Sequence, residues 1–240
     1  MSRPRSTGGF LLVGGLDYGD SGWSPLPGAA RERAAIERVA TSPPAVRGGR
    51  EVTAAWLAQE LPKSRVAHLA THGRFDETTA SHPTAAPALL GGAPPRRAVR
   101  NPMGQVGLVL SGGEVVTGLS LLDLHLENLH LAVLSACESG LGGLGIGEGV
   151  FGLTRAFHLA GAENVIASLW NVNDSATSAL MAKFYHELWV NKREPLAALR
   201  EAQLMIYRHP ELIPDLAGER GAPKAKEALA VKPLAALQAP

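Results

Sequence analysis

The sequence predicts an α/β fold in which a mostly parallel central sheet is flanked by helices. Short apolar runs alternate with stretches whose apolar residues recur at helical spacing, which is typical of parallel sheets. Two of these runs end abruptly: residues 65–73 end on His72 and Gly73, and residues 131–137 end on Cys137. Because ligands of open α/β sheets bind outside the carboxyl ends of the strands, we expect a site at that edge.

Short apolar runs and helical spacing of apolar residues also predict the other elements. Apolar runs predict two further strands, and two runs on either side of a Ser-Gly-Gly turn predict a small hairpin. Apolar residues at helical spacing predict helices, one of which is expected to end at Gly161. The strands cover residues 10–15 and 164–172, the hairpin covers 106–117, and the helices cover 29–40, 53–61, 150–160, 180–188 and 195–206.

The domain organisation follows from the composition along the chain. We expect one domain over residues 10–210, preceded by an extension at 1–9 and followed by a loosely ordered tail at 211–240. Within the domain, residues 76–104 contain five prolines and a basic cluster. Long stretches of this kind form loops that are functional or disordered, so we interpret this one as a mobile loop.

The bulk properties exclude several function classes. A formal net charge of +1 gives no electrostatic basis for binding nucleic acid or an anionic membrane. One cysteine excludes an intrachain disulfide and fits a reducing compartment. The N-terminal Met-Ser-Arg-Pro-Arg lacks the apolar stretch of a signal peptide, and no apolar run is long enough to span a membrane. A cytoplasmic protein without nucleic-acid or membrane partners is therefore expected.

The two strand ends carry the parts of a nucleophilic enzyme. A thiol with an ordinary pKa of about 8.5 is mostly protonated at neutral pH, and a neighbouring imidazole such as His72 can take its proton. The amide N–H groups of Gly73 and Cys137 could together form an oxyanion hole, because glycine lets a substrate carbonyl approach the backbone. The alternative is structural: a lone cysteine at a strand end is more often a small buried hydrophobe.

Several blocks of residues, taken together, are typical of a known family. They are His68-Leu-Ala-Thr-His72-Gly73, Leu134-Ser-Ala-Cys137-Glu-Ser-Gly140, Gly147-Glu-Gly-Val-Phe-Gly-Leu-Thr-Arg-Ala-Phe157, Ala160-Gly-Ala162 and Ser168-Leu-Trp-Asn-Val-Asn-Asp174. In this order they resemble the CHAT family of caspase-like cysteine peptidases, relatives of caspases and separase. The resemblance covers about residues 10–210. It implies a caspase-like three-layer sandwich, a dyad of His72 as general base and Cys137 as nucleophile, a protein or peptide substrate, and no cofactor.

Asp174 has two interpretations. In separase, the matching acidic residue after a similar strand lines the pocket for an arginine ahead of the scissile bond. By that resemblance, Asp174 would bind a P1 Arg or Lys. Alternatively, an Asp before Ser-Ala-Thr and an amphipathic run is a good helix N-cap.

Two other motifs suggest different chemistry. A His-x-x-x-His pair can bind zinc on a helix, but on a strand the rings of His68 and His72 are about 13 Å apart. We therefore expect His68 to be a packed, hydrogen-bonded residue, and no metal site. The glycines at 140–145 satisfy G-x-G-x-x-G, so a Rossmann-type nucleotide site is a remote alternative.

The remaining alternative is a catalytically silent scaffold with the same fold. Members of the family usually carry tandem helical repeats upstream, and this sequence starts just before its first strand. A repeat-containing regulatory partner, or a missing upstream domain, is therefore expected. Relatives also continue after the equivalent of His209-Pro210 into a Trp-containing strand, which this sequence lacks. Such a loss would leave an exposed sheet edge.

Overall fold

The computed structural model describes residues 9–75, 102–138, 146–168, 173–219 and 222–230, with the backbone alone at 102, 136–138, 146–150 and 222–223. Within these residues, seven strands form one sheet. They are β1 (Gly9–Leu16), β2 (Ala45–Gly49), β3 (Ser64–Phe75), β4 (Val106–Val109), β5 (Val115–Thr117), β6 (Leu131–Glu138) and β7 (Asn164–Ala167). The strands β2, β1, β3, β6 and β7 are parallel neighbours in that order.

Strand β3 is the centre of the sheet. Along one edge it pairs with β6 from Val66 to Gly73. Along the other edge it pairs with β1 through residues 64–69 and then, antiparallel, with β4 through residues 72–75. Strand β4 of the β4–β5 hairpin therefore replaces β1 as the neighbour of β3 beyond Leu69, so that His72 and Gly73 have a partner strand on each side.

Helices cover both faces of the sheet. They are α1 (Pro27–Val39), α2 (Ala54–Glu60), α3 (Gly118–Leu122), α4 (Ile146–Leu159), α5 (Asp174–Trp189), α6 (Pro195–Arg208), α7 (Ile213–Leu216) and α8 (Ala222–Ala230). Leu11 and Leu69 face a core shared with α2, α3 and α4, whereas Leu12 and Val133 face a core shared with α1, α5 and α6. Burial on both faces explains why these strands are continuous apolar runs.

This architecture confirms the predicted fold class, a mostly parallel sheet between helices as in a caspase-like sandwich. The hairpin and the helices expected near 29–40, 53–61, 150–160, 180–188 and 195–206 are all present. Helix α4 is followed by Gly161 with a φ of +115°, as expected of a glycine that ends a helix. The glycine motif at 140–145, and residues 76–101 of the proline-rich segment, lie outside the described residues.

The C-terminal segment differs from its prediction. We expected a loosely ordered tail at 211–240, but α7 and α8 are helices in the described part of it. Ala225, Ala228 and Leu229 of α8 are buried, in contact with the α1 and α5 side of the molecule. This segment is rich in alanine and only weakly periodic, so its narrow stripe of buried apolar residues was not predicted from the sequence. No helix in the described ranges is both long and apolar enough to cross a bilayer.

Candidate active site

The structure pairs the two residues predicted to form the dyad. The register of β3 against β6 is unbroken from Val66 opposite Leu131 to Gly73 opposite Glu138, and it sets His72 opposite Cys137. Neighbouring strands lie about 4.8 Å apart. The backbones of His72 and Cys137 are therefore direct neighbours at the carboxyl end of two parallel strands.

The His72 side chain is buried beneath the segment that follows β1. Its ring lies 4.9 Å from the ring of Tyr18 and 5.0 Å from that of Trp23, measured between centroids. Its Nε2 is 2.7 Å from the carbonyl oxygen of Ser24. Because a carbonyl only accepts hydrogen bonds, Nε2 carries the hydrogen and donates it to Ser24.

This hydrogen bond sets the chemistry of the imidazole. In the neutral ring the other nitrogen, Nδ1, has the lone pair and is the atom that can accept a proton. Burial lowers the pKa of His72, while the Ser24 carbonyl opposes that shift. His72 is thus held in one tautomer and favours the neutral, basic form at neutral pH.

A second set of hydrogen bonds anchors the end of β3. The Tyr18 hydroxyl lies 2.9 Å from Oγ1 of Thr71. The Thr71 hydroxyl in turn donates a hydrogen bond to the carbonyl oxygen of Val109 in β4. Burial raises the pKa of Tyr18, so its phenol stays protonated. The segment after β1, strand β3 and the hairpin are therefore joined beside His72.

Gly73 lies inside β3 rather than after it. It is buried and has register partners on both sides, Leu108 in β4 and Glu138 in β6. An amide N–H serves an oxyanion only when the sheet does not already bind it. The oxyanion hole formed by Gly73 and Cys137 stays a prediction.

Asp174 is the first residue of α5 and not its N-cap. The cap is Asn173, whose side chain accepts hydrogen bonds from the backbone N–H groups of Ser175 and Ala176. The N-cap interpretation of Asp174 is therefore wrong by one residue, because two adjacent residues in this sequence are both good caps. A P1 role for Asp174 stays a prediction.

The Asp174 carboxylate is bound by the chain itself. Nη2 of Arg31 lies 2.8 Å from Oδ2 of Asp174, and both side chains are about half exposed. A Cβ at Gly28, in the first turn of α1, would lie 2.3 Å from the Asp174 carboxyl carbon. Only glycine lets α1 approach the carboxylate so closely. Asp174 therefore lies where the N-terminal ends of α1 and α5 meet.

His68 is a packed strand residue, as expected. Its side chain is fully buried, and its Nδ1 is 3.1 Å from the hydroxyl of Tyr185. Two further histidines contact carboxylates: His125 pairs with Glu127 and His130 with Glu163. The described part of the chain contains no group of three His, Cys, Asp or Glu side chains arranged to hold a metal ion.

Comparison with known proteins agrees with the motifs and the fold. The family model of the CHAT domain matches residues 2–217. The chain belongs to the CHAT domain family. This family is related to the caspase-like cysteine peptidases.

The curated relatives of this CHAT domain are repeat proteins. It is 27% identical to tetratricopeptide repeat protein 28 of Mus musculus over 207 residues, which are 78% of the chain and 8% of that protein. It is 35% identical to tetratricopeptide repeat protein 28 of Homo sapiens over 101 residues, which are 40% of the chain and 4% of that protein. The chain thus spans less than a tenth of the length of either relative.

The residues that surround His72 in this CHAT domain were not predicted from the sequence. Tyr18, Trp23 and Ser24 follow β1, in a stretch between the predicted strand at 10–15 and the predicted helix at 29–40. One signal was available: β1 ends at the same edge of the sheet as β3, so a tyrosine and a tryptophan just after it were candidates for the site. The Ser24 carbonyl has no such signal, because any residue supplies a backbone oxygen.

Proposed function

We propose that this CHAT domain is a cysteine endopeptidase in which His72 is the general base and Cys137 the nucleophile. The observation that carries the proposal is the register of β3 and β6, which sets these two residues opposite each other at the carboxyl edge of the sheet. Family membership supports the same assignment.

The proposed chemistry divides peptide hydrolysis into two steps. Nδ1 of His72 takes the thiol proton of Cys137, and the sulfur attacks the carbonyl carbon of the scissile bond. The imidazolium then gives its proton to the departing amine, which leaves a thioester. Water, activated by the same imidazole, hydrolyses the thioester and regenerates the thiol.

The surroundings of His72 support this role. Its hydrogen bond to Ser24 leaves the lone pair on Nδ1, and burial keeps the ring neutral until it accepts a proton. A backbone carbonyl that accepts from Nε2 also stabilises the imidazolium formed during the reaction, because the bond strengthens when the ring is charged. No acidic third residue is needed for that.

Covalent labelling of the thiol tests the proposal. We expect an alkylating peptide probe to label Cys137 in the wild type, with a rate that falls strongly in His72→Ala and a label that is absent in Cys137→Ala. His125→Ala is the matched control, because His125 is exposed and pairs with Glu127. Labelling that survives His72→Ala unchanged would mean that the thiol is merely accessible, and the dyad would be rejected.

We further propose that Asp174 favours a basic residue at P1. The Asp174 carboxylate is about half exposed and already pairs with a guanidinium, that of Arg31, which supports its ability to accept a basic side chain. In a panel of peptides that differ only at P1, we expect the wild type to prefer Arg and Lys, and Asp174→Ala to lose that preference. An unchanged preference in Asp174→Ala would remove Asp174 from the specificity pocket while leaving the dyad intact.

A second candidate is a binding module without catalysis. The curated relatives are named as tetratricopeptide repeat proteins, and the matching region is a small fraction of each. A domain of this kind could bind helical repeats, on its own chain or on a partner, and could regulate or be regulated by them. Binding of a repeat-containing fragment that persists in Cys137→Ala, together with no His72-dependent labelling in the wild type, would favour the scaffold over the peptidase.

A further inference from the structure

A buried carboxylate lies between the two strands that carry the candidate dyad. Glu32 is on α1, and its residue is only 3% exposed. Its Oε2 accepts a hydrogen bond from Oγ of Ser135 in β6 at 2.8 Å. Its Oε1 lies 3.2 Å from Nε2 of His68 in β3. One side chain from a helix therefore contacts both strands.

The network continues to a second helix on the same face. Nδ1 of His68 lies 3.1 Å from the hydroxyl of Tyr185 in α5, and burial raises the pKa of that phenol well above its usual value. A Tyr185 hydroxyl that keeps its proton can donate to Nδ1 of His68, whose Nε2 faces Glu32. The contact with Glu32 is short but poorly aligned, so neither Oε1 nor Nε2 has a well-formed hydrogen bond among the described residues.

A buried polar network of this kind reduces the free energy gained on folding, so its presence needs an explanation. A carboxylate removed from water is unfavourable when it is not fully paired, and well-packed apolar residues in its place are often neutral or stabilising. The best-attested reason for keeping buried polar groups is that they fix the alignment of packed elements. The mechanism of peptide hydrolysis does not use Glu32, His68, Ser135 or Tyr185.

We propose that Glu32 is a positioning residue, which holds β3 and β6 in the register that sets His72 opposite Cys137. This inference rests on the proposed peptidase function. Ser135 precedes Cys137 by two residues and His68 precedes His72 by four, which are about 7 Å and 13 Å along a strand. Glu32 thus contacts each strand within four residues of the dyad member that the strand carries.

The alternation of side chains between the two faces of the sheet does not by itself exclude every shift of register. A slip of two residues keeps every side chain on its own face. Ser135 lies opposite Ala70, two positions beyond His68. A slip that carries Ser135 farther from His68 adds about 7 Å to their separation along the strands. Glu32 could then contact only one of them and would lose its other partner. The bridge therefore penalises misalignment in that direction.

Isosteric substitution tests the inference in the full chain. We expect Glu32→Gln to lower kcat by about tenfold to a hundredfold, the loss that small misplacements of reacting groups produce, while KM stays unchanged because no substrate contact is lost. The control is Glu37→Gln on the same helix, where the carboxylate is partly exposed and pairs with Arg33. This control is expected to keep wild-type kcat.

Ser135→Ala is the second variant, because it removes one hydrogen bond at a half-buried position and keeps the buried charge. We expect it to lower kcat as well, Ser135→Thr to restore part of the loss, and the double variant with Glu32→Gln to be no worse than the poorer single one. Thermal melting of each variant gives the fraction folded at the assay temperature, so that loss of fold is separated from loss of alignment.

The outcomes separate the two proposals. Wild-type kcat in both Glu32→Gln and Ser135→Ala, or a loss of kcat that equals the loss of folded protein, would overturn the positioning role while the peptidase stands. A wild type that neither cleaves peptides nor shows His72-dependent labelling of Cys137 would overturn the peptidase, and the positioning role would fall with it.

Discussion

At the scale of single residues, the protonation of His72 makes the sharpest prediction. Burial depresses its pKa, and only the neutral ring can act as a base. We therefore expect kcat/KM to fall as pH falls, with a midpoint below about 6.5, the usual histidine value. The profile of His125→Gln should match the wild type. A midpoint above 6.5 would contradict the depressed pKa, since it would mean that the protein stabilises the imidazolium.

The same depressed pKa acts on stability with a defined sign. Below about 6.5, the histidine of the unfolded chain takes up a proton more readily than the buried ring does. His72 therefore contributes stability above that pH, and the contribution is lost as pH falls through its folded-state pKa. Urea unfolding at pH 7 and pH 5 should show a smaller loss of stability in His72→Gln than in the wild type.

Arg31 makes a residue-scale prediction about substrate binding. If Asp174 binds a basic P1 side chain, Arg31 competes with the substrate for the same carboxylate. Exposed ion pairs are worth at most about 1 kcal/mol, so Arg31→Gln should lower KM for an arginine substrate by up to about fivefold. Lys63→Gln removes a comparable exposed pair with Glu60 and should leave KM unchanged. An unchanged or higher KM in Arg31→Gln would separate this ion pair from substrate binding.

At the scale of elements, the cap of α5 fixes the helix on which Asp174 lies. Loss of an N-cap side chain typically costs about 1 kcal/mol, whereas loss of a charge in the first turn costs about 0.3–1 kcal/mol. In an Arg31→Gln background, which removes the Asp174 ion pair from the comparison, we therefore expect Asn173→Ala to reduce the free energy of unfolding more than Asp174→Ala does, and Asn173→Ser to retain most of it. Urea denaturation measures the unfolding free energy of all three variants. A larger loss in Asp174→Ala than in Asn173→Ala would assign the cap to Asp174.

Elements that bury a regular apolar pattern could be predicted from the sequence, and the others could not. Strands β3 and β6 and helices α4 to α6 follow from periodicity, because burial dictates which of their positions are apolar. Strand β2 was missed, since it is a five-residue edge strand with two glycines and no fully buried residue. Local patterns carry no signal for an edge strand of this kind.

The residues of the candidate site likewise fall into those that the sequence could predict and those that it could not. His72 and Cys137 could be found because each ends an apolar run. The bridge through Glu32 could not, because it joins residues about a hundred positions apart, as the contact of Glu32 with Ser135 shows. A charged residue in an amphipathic helix is expected to face solvent, and only the packing of α1 on the sheet shows that Glu32 faces inward.

At the scale of the whole molecule, the C-terminal helix is attached through a buried cation. Nζ of Lys183 in α5 donates to the carbonyl oxygen of Leu229 in α8 at 2.9 Å and also pairs with Glu187 at 2.9 Å. Glu187 keeps two further partners, Asn191 and Arg193. These hydrogen bonds hold the pKa of Glu187 below its usual value although burial opposes them. Helix α8 thus supplies a neutral backbone acceptor to a largely charged cluster.

This attachment predicts that α8 and Lys183 stabilise the molecule together. Removal of residues 222–240 should destabilise the protein, because it uncovers the surface beneath Ala225 and Leu229. Lys183→Met should then cost less in the shortened chain than in the full one, by about the 1.5–3 kcal/mol of a hydrogen bond to a charged group. Urea unfolding of the four proteins gives this coupling energy. Lys63 is exposed and distant in sequence from α8, so the effect of Lys63→Met on the free energy of unfolding should simply add to that of the truncation. Additive effects for Lys183→Met as well would show that α8 packs on the domain without the buried ammonium.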